Sequence, residues 1–174
     1  MIDAIYMRVS RLRLFMIAAA AALAVHAAPA SAQDARQDMA QAISNCISNY
    51  RMPENVESAF RQTGFTLDSD VFGPFARKGE IFVYYDQAED WQGNSSCSIF
   101  TGAVGLHDAH GIALDVANQL FPDGTHDGPP EVGRDDCLAV SVFAPRKLMV
   151  LRVFDNGNGG TCTGQDGSSI GITF

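Results

Sequence analysis

Cys46, Cys97, Cys137 and Cys162 all lie downstream of a stretch that reads as an export leader. No other feature restricts the fold as much. An even set of cysteines in an exported chain reads as two disulfides, and the chain must close around them. Four cysteines allow three pairings, and sequence alone does not choose among them. The pairs preferred here are Cys46–Cys97 and Cys137–Cys162, the second tying the end of an expected hairpin to the loop after it. A zinc site is the competing reading. It is disfavoured because no Cys-x-x-Cys occurs and zinc ligands usually come in close-spaced pairs.

The leader has three parts. Arg8, Arg11 and Arg13 form a basic start, Leu14 to Ala24 is an apolar run, and Ala30-Ser31-Ala32 supplies the small residues read by signal peptidase. Residues 1–32 are therefore expected to be cleaved, leaving 33–174 as one domain. An anchoring helix would need roughly 20 mostly apolar residues. The run here is shorter and is interrupted by His26 and Pro29, so no stable membrane span is expected after cleavage. The expected location is the periplasm or the medium.

Removing Arg8, Arg11, Arg13 and Asp3 with the leader takes the formal charge from −8 to −10. Such a surface repels nucleic acid and anionic lipid and attracts basic partners. Nucleic acid is excluded as an expected partner on this ground.

Hydrophobic spacing then places the elements. Met39, Ala42, Ile43, Cys46 and Ile47 recur at helical intervals, which predicts a helix over Gln37 to Tyr50. Pro53 opens a second helix with Val56, Ala59 and Phe60 as its stripe, ended by Gly64. Asp108 is expected to cap a third helix running to Leu120, with Ala109, Ile112, Ala113 and Val116 on one face. The β-forming runs Glu80 to Asp86, Ser96 to Thr101, Cys137 to Phe143 and Leu148 to Phe154 read as strands. Thr66 to Lys78 has no clear period and carries turn residues, so it reads as a connection anchored by Phe65, Phe72 and Phe75.

Ile170-Gly171-Ile172-Thr173-Phe174 alternates and ends on an aromatic, as outer-membrane barrel strands do. The expected strands are too few and too short for a barrel, so Ser169 to Phe174 reads as an edge strand. The expected fold is α+β: a small antiparallel sheet of about 4–5 strands, with N-terminal helices and one inserted helix packed on it, stabilised by disulfides.

Two constellations invite chemistry. His107 and His110 are three residues apart, near Asp115 and His126, a spacing that permits a shared metal or an acid–base pair. It is not the His-Glu-x-x-His of zinc proteases. Asp155-Asn156-Gly157-Asn158-Gly159-Gly160 alternates oxygen donors with glycine, which invites calcium, but no glutamate closes the loop as in an EF-hand. His107, His110 and Asp155 are thus the metal candidates, zinc or calcium the candidate ions, and no residue stands out as catalytic. The expected function is a non-enzymatic binding or interaction module of the cell envelope, acting on a protein, peptide or small ligand. A small hydrolase or metal-dependent enzyme built on His107 and His110 is the alternative, and a structural envelope component the third reading.

Overall fold

The computed structural model describes residues 30–86, 95–129, 138–155 and 167–174. Cys137, Cys162, Trp91 and residues 156–166 lie outside the described residues. So does the expected Cys137–Cys162 pair.

Among the described residues there are three α-helices, α1 (Ala30–Ser48), α2 (Val56–Gln62) and α3 (Leu106–Leu120), with a 3-10 turn at Pro53–Asn55 before α2. The eight strands of the described residues are β1 (Thr66–Asp70), β2 (Gly73–Lys78), β3 (Ile81–Asp86), β4 (Ser96–Thr101), β5 (Thr125–Asp127), β6 (Leu138–Ala144), β7 (Lys147–Asp155) and β8 (Ser168–Thr173). They form one antiparallel sheet in the order β1-β2-β3-β4-β8-β7-β6-β5. Two four-stranded meanders, β1–β4 and β5–β8, thus lie side by side, joined where β4 meets β8.

The α+β class stands, but the expectation of 4–5 strands is overturned by this eight-stranded sheet. The missing strands lie mostly at its edges. β1 is Thr-Leu-Asp-Ser-Asp, with four of its five positions exposed, and β5 is the three residues Thr-His-Asp. An edge strand buries little, so it leaves little hydrophobic period to read. β2 begins with Gly73-Pro74, residues that otherwise signal a turn, and Gly73 takes φ 124° beside the β1–β2 connection.

β8 is a central strand, not an edge. Ile170 and Ile172 pair with Ile99 and Cys97 of β4 on one side and with Val153 and Leu151 of β7 on the other. Ile170, Ile172 and Phe174 are almost fully buried, so the alternation at the chain end serves a globular core.

All three helices cover the same face. Ile81, Val83 and Tyr85 of β3, Cys97 and Ile99 of β4, and Leu151 and Val153 of β7 point toward them and are buried. Met39, Ala42, Ile43, Cys46 and Ile47 of α1 are fully buried, as their helical spacing requires. A disulfide joins Cys46 of α1 to Cys97 of β4. It fits an oxidising, extracytoplasmic environment. Ion pairs fasten α1 further, Asp38 to Lys78 of β2 at 2.8 Å and Arg36 to Asp108 of α3 at 2.6 Å.

α3 starts two residues earlier than its expected cap. Gly105 occupies the N-cap in an extended conformation, Leu106 is buried, and Asp108 sits in the first turn, where its charge suits the helix dipole. Among the described residues, no helix is long and apolar enough to cross a membrane.

Candidate functional site

The histidine cluster does not converge on one site. His110, on α3, lies 3.0 Å through Nε2 from Asp127 Oδ1 and 3.4 Å from the Ala139 carbonyl oxygen. Both neighbours accept hydrogen bonds, so Nε2 carries the hydrogen and fastens edge strand β5 to α3. His107 is exposed one turn earlier, and Asp115 is exposed further along α3. His126 stands on the opposite side of the sheet, its ring edge-on to Phe143 at 5.2 Å. Asp155 is buried on the helix side of β7, across from Ser168. Among the described residues, no group of three or more His, Cys, Asp or Glu side chains is arranged to hold a metal ion.

The face of the sheet opposite the helices carries a different constellation. The register sets Asp68 opposite Phe75, Phe75 opposite Tyr84, Tyr84 opposite Ser98, Ser98 opposite Gly171, and Gly171 opposite Arg152. In the next row Arg77 faces Phe82, Phe82 faces Phe100, Phe100 faces Ser169, and Ser169 faces Phe154. Four half-buried aromatic rings therefore meet on one helix-free face. Phe75 stacks on Phe82 at 4.5 Å, and Tyr84 meets Phe82 edge-on at 4.9 Å, Phe75 at 5.9 Å and Phe100 at 6.2 Å. Beside them runs a strip of small residues: Ser98, Gly171 and Ser169.

Phe72, in the β1–β2 turn, closes one side of this surface. Its ring is edge-on to Tyr84 at 6.3 Å, yet it is 82% exposed, and neighbouring Val71 is 92% exposed. Two apolar residues at a hairpin tip gain nothing from core burial. The expectation that Phe72 anchors this segment to the core is therefore overturned, and Phe75 turns to the helix-free face. Phe65 alone is buried, against Phe60. The tip, Tyr84, Asp86, Ser96 and Ser98 enclose an open cleft of about 360 Å³.

Asp70 organises this corner. Its Oδ2 accepts a hydrogen bond from the Tyr84 hydroxyl at 2.6 Å, and its Oδ1 accepts one from the Phe72 N–H at 2.8 Å. One carboxylate thus fixes both aromatic walls. The Tyr84 bond holds the Asp70 carboxyl below its ordinary 3.8, with the Phe72 and Gly73 N–H groups acting in the same direction. The same bond pushes the Tyr84 phenol above its ordinary 10.0. Burial, with Glu57 nearby, also raises Tyr85.

The Asp70 contribution is present above pH 3.8 and lost as pH falls through its lowered pKa. The Tyr84 contribution is present below pH 10.0 and lost as pH rises through its raised pKa. The corner is thus intact across the neutral range. An alkaline absorbance titration of tyrosinate should show Tyr84 and Tyr85 ionising above pH 10.0. Asp70→Asn should bring the Tyr84 titration to lower pH and leave Tyr85 in place. An unchanged Tyr84 titration in Asp70→Asn would contradict this arrangement.

The chain matches no protein-family model, no curated protein and no solved structure. Function is therefore argued from the residues of the face itself. Read from the sequence, Tyr84 and Tyr85 are β-formers that could, with Trp91, line a ligand groove or serve the core; that Phe75, Phe82 and Phe100 share a surface with Tyr84 is not visible there. The available signal was the alternation of Phe82 and Tyr84 in β3, with Ser98 and Phe100 in β4.

Proposed function

We propose that this chain is an exported, non-enzymatic binding module of the periplasm or medium, and that it takes a cationic ligand at the aromatic corner of its helix-free face. The observation that supports this most is the exposed Phe72 ring held beside Tyr84 by Asp70, above an open cleft. An aromatic face attracts an ammonium or guanidinium group through its quadrupole. Asp68, Asp70 and Asp86 share this side of the sheet, and the formal charge of −8 on the whole chain draws cations toward it. Arg77 and Arg152 lie further along the same face, so the acidic, aromatic end is at the β1–β2 tip. The ligand chemistry that fits is a lysine- or arginine-bearing peptide.

The probe is a short lysine-containing peptide, titrated into the isotopically labelled protein and followed by amide chemical shifts. Shifts should cluster at Phe72, Tyr84 and Ser98. Phe72→Ala and Tyr84→Ala should each weaken binding by about 2- to 30-fold, the range set by a cation–π contact of roughly 0.5 to 2 kcal/mol. Phe72→Ala should leave stability close to wild type, because the side chain is exposed. Shifts confined to the helix side, or no response at millimolar peptide, would sink the proposal.

A further inference from the structure

The helix-free face changes charge along its first strand pair. Asp68 and Asp70 stand toward the tip end of β1, and Arg77 of β2 stands opposite Thr66 at the other end. Thr66, Asp68 and Asp70 alternate along β1, so all three share this face with Phe75 and Arg77. Four strand steps separate the Asp70 level from the Thr66 level, which is about 13 Å at the rise of a strand. A cleft of about 570 Å³ occupies the Arg77 end, lined by Thr66, Asp68, Phe75 and Arg77, with Lys78 and two glycines. All of these residues lie within the described stretch 30–86.

Among the described residues, Arg77 is the cation left to act at this end. Lys78 pairs with Asp38 of α1 at 2.8 Å, and Arg152, further across the face, has an interaction of its own. Arg77 is exposed, and its guanidinium forms no ion pair or hydrogen bond there. Asp68 sits diagonally across the ladder from it, within reach of a long side chain, yet the two stay apart. Asp68 Oδ1 instead accepts a hydrogen bond from the Ser69 N–H at 2.8 Å. That bond uses an edge donor of β1. Ser69 faces Pro74, which has no N–H to exchange, and its own N–H turns to the side chain. An extended ligand therefore gains more by lying on the face than by adding a strand at this edge.

We infer that the peptide taken at the aromatic corner is dipolar: an extended segment with a lysine or arginine at one position and a carboxylate four residues away, which pairs with Arg77. This rests on the reading of the corner as a cation site. In an extended chain the side chains at i, i+2 and i+4 point to one side, and i to i+4 spans about 13 Å. That span matches the distance along β1 from the corner to the Arg77 level. The guanidinium fork takes both oxygens of a carboxylate. The middle side chain, at i+2, falls against Asp68 and Phe75, so an acidic residue is disfavoured there. The charge order along the strand pair thus sets which end of the ligand lies at the tip.

The test titrates the exported, oxidised protein with end-blocked peptides at physiological ionic strength, where distant charges are screened and a contact pair persists. Lys-Ser-Ser-Ser-Glu, or the same sequence reversed, is compared with Lys-Ser-Ser-Glu-Ser, or its reverse, which has the same charge but turns the glutamate away. The i+4 peptide should bind about 1.5- to 5-fold tighter, the range of an exposed ion pair, and should move the Arg77 side-chain resonance. The difference should vanish in Arg77→Gln, and Arg77→Glu should reverse it. Arg77 is exposed, so both variants should keep the wild-type amide spectrum away from β2. Equal affinities for the i+4 and i+3 peptides in both orders, or a difference that survives Arg77→Gln, overturn this inference. Lys-Ser-Ser-Ser-Ser then separates the two readings. Its binding at Phe72 and Tyr84 leaves the cation corner standing, and its failure to bind overturns both.

Discussion

Phe60→Ala should cost about 3 to 5 kcal/mol, the range for removing a large aromatic side chain from a packed core. Phe60 is fully buried, with Phe65 edge-on at 4.9 Å and Tyr85 at 5.6 Å. It lies on α2, a seven-residue helix whose only buried residues are Val56 and Phe60. A helix this short does not hold itself together in water, so its place on the sheet depends on that ring. The exposed Arg61–Glu57 ion pair on the same helix contributes little by comparison. The loss should also reach β1, since the Phe65 N–H donates to the Phe60 carbonyl oxygen just before that strand begins. Urea unfolding should show the lower midpoint, and Phe60→Leu should retain most of the stability because it keeps most of the volume. A loss under about 1 kcal/mol for the alanine variant would mean that α2 is held by something other than this ring.

What was legible in the sequence follows from how deeply each segment is buried. Met39, Ile43 and Ile47 in α1 and Ala109, Ile112 and Val116 in α3 declare their helices, because each must keep one face in the core. Ile81 to Tyr85 declares β3 for a related reason, as it faces helices on one side and aromatic neighbours on the other. Thr66–Asp70 and Thr125–Asp127 are edges with few buried residues, so their strand character comes from pairing with β2 and β6 and leaves almost no mark in composition. The central place of β8 rests on two non-local pairings, with β4 and with β7, which no local pattern encodes. The candidate site is hidden for the same reason. Phe75, Tyr84 and Phe100 come from three strands, and only the register shows that they share a surface. The histidines drew attention by proximity in the chain, yet His107, His110 and His126 end in three different places.

Replacing Cys46 and Cys97 together with alanine should lower stability by about 2 to 4 kcal/mol. The two cysteines are separated by 51 residues, and closing a loop of that size restricts the unfolded chain by an amount worth roughly 4 kcal/mol in the chain-entropy account. The thermal midpoint should fall by about 10 °C, given a few degrees per kcal/mol for a domain of this size. Cys46 is fully buried and Cys97 nearly so, so a reductant reaches the bond only when α1 lifts from the sheet. Native protein should therefore resist mild reductant and lose the bond once denaturant opens the fold. A double variant as stable as wild type would show that the buried face and ion pairs of α1 hold it without the disulfide. A reduced chain lacks this constraint, and the missing few kcal/mol are a large part of the roughly 5 to 15 kcal/mol that a domain normally has. The helix-covered face thus reaches full stability only where Cys46 and Cys97 can oxidise, as in an oxidising, extracytoplasmic environment.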